Sequence, residues 1–223
     1  MTSHRILHVD DEPDIREIVE LSLGLDPGFT VRSCASGDDA LATAVDWPPD
    51  LILCDVVMPV MDGPTTLARL RECPQTINIP VVFMTARAQA RELEHFRSLG
   101  ATGVIAKPFD PMKLANSVRD HLRSAGLAAL RHGFIGRLRA DAAKLVKCRA
   151  NLRRNHTIAR EVLEETKSIA HALVGAAGIF DFEMVSSTAS ALERSTIKLL
   201  SGNCALGKVE HDLDALLACL ERA

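Results

Sequence analysis

The sequence predicts an α/β domain, a doubly wound five-stranded parallel sheet, followed by an all-α four-helix bundle. Three observations lead there. Short β-rich runs alternate with amphipathic segments through the first 124 residues. From Leu127 onward the periodicity is helical, with no convincing strand. The charge also changes sign: residues 1–124 carry 12 Lys and Arg against 18 Asp and Glu, a net of −6, whereas residues 125–223 carry 14 against 11, a net of +3. A chain of 223 residues is comfortable for two domains. The expected division is 1–124, a short join over 125–130, and a bundle over 131–223.

The elements follow in order. "RILHV" (5–9) reads as a strand and "PDIREIVELSLG" (13–24) as a helix. "FTVRS" (29–33) is a second strand, followed by the helix "GDDALATAV" (37–45). "DLILC" (50–54) is nearly continuous in apolar residues, as a strand buried on both faces should be. "PVVFM" (80–84) and "GVIA" (103–106) repeat that type, with helices near 88–98 and 110–123. Such alternation builds a parallel sheet with right-handed crossovers. Ligands then bind beyond the carboxyl ends of its strands. The join "SAGLAAL" (124–130) is short, which places the domains close together and leaves room for the last helix of the first domain to run on into the bundle. Beyond it, helices are expected near 128–154, 157–179, 182–201 and 205–221, with breaks at Asn155, around Asp181 and at "SGN" (201–203). Short connections between such helices give a bundle.

Composition excludes several classes. One Trp and no Tyr leave few aromatics for stacking on nucleic-acid bases. The six cysteines (34, 54, 73, 148, 204 and 219) show no C-x-x-C spacing, which argues against a disulfide framework or zinc site and suits a reducing compartment. The start "MTSHRILHVDDEPD" meets acid after one short apolar run, unlike a signal peptide. No window has the apolar length of a transmembrane helix. A soluble, cytoplasmic protein is expected.

The polar residues at the strand ends form a set. Asp10, Asp11 and Glu12 follow the first strand, Asp55 the third, Thr85 the fourth and Lys107 the fifth. Parallel strands bring them to one sheet edge. Clustered carboxylates repel one another unless a cation sits among them, and all-oxygen ligands with room for water suit Mg²⁺. A carboxylate beside Mg²⁺ is a competent nucleophile toward a phosphoryl group. A hydroxyl and an ammonium opposite can hold phosphoryl oxygens. Any one of these residues alone is an ordinary solvated side chain at a helix start; together, at four strand ends, they are a site.

"VDDEPD", "DVVMPVMDG" (55–63), "MTA" (84–86) and "AKPF" (106–109) strongly resemble the receiver domains of bacterial two-component response regulators, over residues 3–123. The resemblance implies that Asp55 accepts phosphate, that Asp10 and Asp11 help bind Mg²⁺ with Asp55, and that the Val57 carbonyl is a further ligand. Thr85 and Lys107 would contact the phosphoryl group. The Lys107–Pro108 peptide is expected to be cis. Where that family often has an aromatic three residues before the lysine, this chain has Val104.

In the second half, Val162, Ile169, Leu173, Ala176 and Phe180 fall on one stripe of the helix near 157–179. His171 lies two residues from both Ile169 and Leu173, roughly 200° around the helix, and is expected to be exposed. Gly175 and Gly178 share its edge and leave a shallow floor beside the imidazole. Packing of small residues against another helix explains the glycines equally well, given Ala172, Ala176 and Ala177. An exposed neutral imidazole is a competent nucleophile. "AHALVGAAG" resembles the active-helix motif of histidine phosphotransfer (HPt) domains, usually His-x-Leu-Lys-Gly. That resemblance implies that His171 is phosphorylated and that Gly175 clears space beside it. The usual lysine is Val174 here, and Lys167, one turn earlier on the same edge, is expected to substitute in part. The segment 131–160 holds nine Lys and Arg against one Asp, which suits an acidic partner such as a receiver. A solvated helix face is the plainer explanation, and nucleic acid ranks last. The other histidines, His4, His8, His95, His121, His132, His156 and His211, are expected to be structural or surface residues.

The sequence thus points to a phosphorelay protein without an ATP-binding module. A sensor histidine kinase or other phosphohistidine donor would phosphorylate Asp55, and His171 would exchange phosphate with this or another receiver domain. Receiver autophosphatase activity and a homodimer are compatible with it. The alternative is a receiver that gates an interaction or dimerisation bundle with no chemistry of its own.

Overall fold

The computed structural model describes residues 3–86, 89–154 and 160–222. The chain divides into two compact units, Met1–Ala128 and Ala129–Ala223.

In the first unit, strands β1 (His4–Val9), β2 (Phe29–Cys34), β3 (Leu51–Asp55), β4 (Val81–Thr85) and β5 (Gly103–Ala106) form one parallel sheet in the order β2-β1-β3-β4-β5. They alternate with α1 (Pro13–Gly24), α2 (Gly37–Asp46), α3 (Gly63–Glu72) and α4 (Ala90–Ser98), and α5 starts at Pro111. The period of two along each strand splits the core into two layers. Leu7, Val9, Ile52, Cys54, Val81 and Phe83 pack with Ala40, Leu67, Leu70 and Phe96 on one face. Ile6, Leu51, Leu53, Val82 and Met84 pack with Val19, Leu23, Leu114 and Val118 on the other. Each fully buried leucine contributes about 2 kcal/mol. The strand order reverses direction between β1 and β3, which opens a crevice at their carboxyl ends.

Local chemistry starts the helices. Pro13 occupies the first turn of α1, where no backbone N–H is needed. The Ser36 hydroxyl accepts from the Asp39 N–H at the start of α2, and the Asp62 carboxylate accepts from the Thr65 N–H at the start of α3. Gly63 is compulsory: a Cβ there would lie 2.4 Å from the Asp55 carbonyl oxygen.

Helix α5 runs unbroken over Pro111–Arg154, so residues 125–130, expected as a join, are helical. One glycine among Ala and Leu does not stop a helix. The second unit adds α6 (Arg160–Ile179), α7 (Glu183–Leu200) and α8 (Leu206–Leu220). Phe134, Leu138, Leu145 and Leu152 of α5 meet Leu163, Ile169, Ala170, Leu173 and Ala177 of α6, Val185, Ala189 and Leu192 of α7, and Val209, Leu213, Leu216, Leu217 and Leu220 of α8. Phe134 stacks on Phe180 with ring centroids 4.8 Å apart. The breaks fall where expected, at Asp181 (φ 63°) and Gly202 (φ 77°). Asn155 and His156 lie outside the described residues.

Candidate functional sites

The crevice edge gathers the strand-end residues. Asp10, just after β1, is fully buried, and Asp55 ends β3 almost as deeply buried. The Lys107 ammonium lies between them, donating to Asp10 Oδ2 at 2.7 Å and to Asp55 Oδ1 at 2.6 Å. The remaining carboxylate oxygens accept from the main chain: Asp10 Oδ1 from the Glu12 N–H at 3.0 Å, and Asp55 Oδ2 from the Val57 N–H at 3.0 Å. Thr85 ends β4, is buried, and its carbonyl accepts from the Lys107 N–H at 2.8 Å. The Lys107–Pro108 peptide is cis. Val104 lies opposite Phe83 in the β4–β5 ladder, half-buried against the core.

Electrostatics tie these groups together. Burial pushes the Asp55 carboxyl above its ordinary pKa, against the opposing pull of Lys107. Burial pulls Lys107 down, but its hydrogen bonds and charge attraction to Asp10 and Asp55 outweigh that and raise it overall. Asp10 and Asp55 bring two buried carboxylates to one edge, and Lys107 supplies one positive charge between them. Asp11 is half-buried in the β1–α1 turn, and Val57 stands at the rim, 78% exposed. Among the described residues no three acidic, histidine or thiol side chains are drawn into a closed metal cage. The donors that border the crevice are all oxygen, the chemistry that suits Mg²⁺.

The second candidate lies on α6. The His171 side chain is 77% exposed, as its place on the helix requires. Its Nδ1 is 2.9 Å from Oε1 of Glu193 on α7. An ionised carboxylate only accepts, so this contact places the proton on Nδ1 and leaves the Nε2 lone pair for chemistry. An added Cβ at Gly175 would meet nothing within 4 Å, and one at Gly178 would meet only the Ser186 hydroxyl, at 3.9 Å. The floor beside His171 is therefore open, and the packing of α6 does not require glycine there. Val174 is half-buried against the bundle core, and its carbonyl accepts from the Ser186 hydroxyl at 3.0 Å. Lys167 is ion-paired with Glu164 one turn back.

The basic segment is partly neutralised within the unit. Lys144 pairs with Asp141, and Arg149 and Arg153 share Asp214. His8 and Cys54 are buried in strands as expected, and His4, His132 and His211 are exposed. His95 lies against Phe96. Two residues near the sites escaped sequence reasoning. Glu193 is 22 residues from His171, and only helix packing joins them. Arg16 binds the carbonyls of Asp10 and Asp11. A cation in the first turn of a helix opposes the helix dipole, and that was the available signal.

Comparison with known proteins places the two halves of the chain in two domain families. The model of the response regulator receiver domain family matches residues 6–119, and that of the Hpt domain family matches residues 129–223. The DNA-binding dual master transcriptional regulator RpaA of Synechocystis is 37% identical over 119 residues, covering 53% of this chain and 49% of its own length. The chain spans about half the length of that curated relative. A putative response regulator from Chloroflexus aurantiacus is 35% identical, with a TM-score of 0.51, over 55% of this chain and 99% of its own. The chemotaxis protein CheY4 of Vibrio cholerae is 33% identical, with a TM-score of 0.50, over 53% of this chain and 98% of its own.

Proposed function

We propose that this chain, which belongs to the response regulator receiver domain family over residues 6–119 and to the Hpt domain family over residues 129–223, is a two-component phosphorelay protein whose two phosphoacceptors are Asp55 and His171. The observation that carries the reading is the Lys107 ammonium held between Asp10 and Asp55 at the carboxyl ends of the strands.

An Asp55 oxygen attacks the phosphorus of a donor phosphohistidine in line. The new O–P bond forms as the N–P bond breaks, and the donor imidazole leaves with the electron pair. Lys107, already on Asp55 Oδ1, passes to a phosphoryl oxygen as a point charge. The Thr85 hydroxyl holds another. The Val57 N–H keeps the carboxylate oriented. Asp10, Asp11, Asp55 and the Val57 carbonyl would hold Mg²⁺, which when bound neutralises charge on the phosphoryl oxygens.

On α6, the Nε2 of His171 attacks the phosphorus of a receiver's aspartyl phosphate. The N–P bond forms, the acyl O–P bond breaks, and a carboxylate leaves. Glu193 stabilises the positive charge that develops on the ring, and the bare floor at Gly175 admits the partner's loops. Lys167 exchanges Glu164 for the phosphoryl group; a half-exposed ion pair of this kind costs little to break. Partners are a phosphohistidine donor, such as a sensor kinase, and receiver domains. The proposed setting is the cytoplasm, a reducing compartment that suits six free cysteines.

The test supplies acetyl phosphate or a phosphorylated histidine kinase with Mg²⁺ to wild type, Asp55→Ala and His171→Ala. Base-labile label lost in Asp55→Ala and acid-labile label lost in His171→Ala are the expected results. No label on Asp55 from any donor overturns the receiver reading. No label on His171 from any phosphorylated receiver leaves a bundle that is gated without chemistry, the less favoured reading.

A further inference from the structure

We propose that Arg16 is a positioning residue for the cation site, acting by clamping the turn that carries Asp10 and Asp11; the inference rests on the receiver reading above. Helix α1 begins at Pro13, so Arg16 lies in its first turn. Its side chain folds back past the helix start. One guanidinium nitrogen, Nη1, donates to the Asp10 carbonyl at 2.7 Å and to the Asp11 carbonyl at 2.9 Å. Both carbonyls lie ahead of the first helical acceptor, the Glu12 carbonyl, which takes the Arg16 N–H at 3.2 Å.

Tying two successive carbonyls orients two successive peptide planes, because the peptide unit is planar. Those planes set the directions of the Cα–Cβ bonds of Asp10, Asp11 and Glu12. The turn is also pinned from within: the Asp10 N–H donates to the Cys34 carbonyl at 3.1 Å, and Asp10 Oδ1 accepts from the Glu12 N–H. Arg16 supplies the outer half of that hold, from a half-buried position.

Two cations therefore serve the acidic edge in different ways. Lys107 occupies carboxylate oxygens, those of Asp10 and Asp55. Arg16 holds main-chain oxygens. A cation arriving at the carboxylates has to compete with Lys107 for oxygen but not with those two Arg16 bonds. Placing a positive charge at a helix N-terminus opposes the helix dipole, and the two carbonyl bonds give the position its return. The clamp and the bare charge make opposite predictions. As a clamp, Arg16 raises affinity for a divalent cation by keeping Asp10 and Asp11 aimed. As a nearby positive charge alone, it lowers that affinity.

The experiment titrates Mg²⁺ into the full chain by calorimetry, for wild type, Arg16→Leu and Arg16→Lys. It also measures the rate of acetyl-phosphate phosphorylation against Mg²⁺ concentration. Loss of an outer hydrogen-bonding partner typically weakens metal affinity about 10- to 100-fold. Arg16→Leu is expected to weaken Mg²⁺ binding at the low end, about tenfold. Its rate at saturating Mg²⁺ should stay within about twofold of wild type, since the two Arg16 hydrogen bonds reach the Asp10 and Asp11 carbonyls and not Asp55. Arg16→Lys, which keeps the charge and a donor, should recover part of the affinity. Unchanged or tighter binding in Arg16→Leu overturns the proposal, as does wild type that binds no Mg²⁺. Should Arg16→Leu fail to fold, judged by thermal unfolding in EDTA, the same criteria pass to Arg16→Lys and Arg16→Gln. Wild type that binds Mg²⁺ yet is never labelled on Asp55 defeats the phosphoacceptor reading, while the calorimetry still decides the role of Arg16.

Discussion

The Nδ1 of His171 and the Oε1 of Glu193 lie 2.9 Å apart, joining α6 to α7 at the exposed face of the bundle. With the proton on Nδ1 facing the carboxylate, Nε2 is the atom left to react in the proposed transfer. Removing that carboxylate in Glu193→Ala frees both tautomers and withdraws a charge that steadies the ring. With the imidazole 77% exposed, screening holds the effect to about 1 kcal/mol, roughly a fivefold slower transfer. Glu193→Gln, whose amide oxygen can still accept from Nδ1, should lose less. Single-turnover transfer from a phosphorylated receiver measures both.

Lys167→Ala should shorten the lifetime of phosphohistidine and slow transfer about two- to fivefold, an effect of exposed charges that added salt diminishes. Equal rates and lifetimes in variant and wild type would show that Lys167 does not stand in for the lysine whose usual place Val174 takes.

Gly63 and Gly175 should behave oppositely on substitution. Gly63→Ala drives a Cβ to within 2.4 Å of the Asp55 carbonyl, so the unit should lose about 2 kcal/mol or more and phosphorylate poorly. Gly175→Ala meets nothing within 4 Å and should stabilise the bundle by about 1 kcal/mol through helix propensity. Transfer should nevertheless slow, because the added methyl group intrudes on the partner. Chemical denaturation and transfer kinetics separate the two effects.

Lys107→Ala removes the cation between two buried carboxylates. Breaking one side of such a pair costs about 3 kcal/mol, and part of it should return when Mg²⁺ is added. Unfolding midpoints with EDTA and with Mg²⁺ test this. A loss of stability that Mg²⁺ leaves untouched would count against the metal reading of Asp10 and Asp55.

The receiver should also weaken in mild acid. His8 is fully buried, neither ring nitrogen has a hydrogen-bond partner among the described residues, and burial lowers its pKa to about 4. Burial lowers His121 as well, where its ring lies against Gly103. Both folded values lie below the unfolded one, so the unfolded chain binds these protons first. The stability is fully present above about pH 6.5 and is lost as pH falls toward 4. Urea midpoints in EDTA between pH 7.5 and 5 should decline, and His8→Leu should flatten the decline.

Much of this was legible beforehand because the signals are local. The run "DLILC" names a strand buried on both faces, and the strand ends "VDD", "CD", "MT" and "AK" name their own places at the crevice. Parallel topology then forces Asp10, Asp55, Thr85 and Lys107 together. The offset of His171 from Ile169 and Leu173 predicts its exposure, because a regular helix preserves that offset. The extent of α5 was less legible. Ala and Leu at 127–130 favour helix whether or not a boundary falls there.

The sequence by itself determined the two fold classes, the strand-end set and the exposure of His171, since each depends on periodicity within a single element. Only the tertiary structure decided what each charged group touches: Lys107 bridging Asp10 and Asp55, Arg16 turning back onto two carbonyls, and Glu193 reaching His171 from another helix. Those contacts depend on how side chains meet across elements far apart in the chain or across a turn, and periodicity within one element carries no record of them.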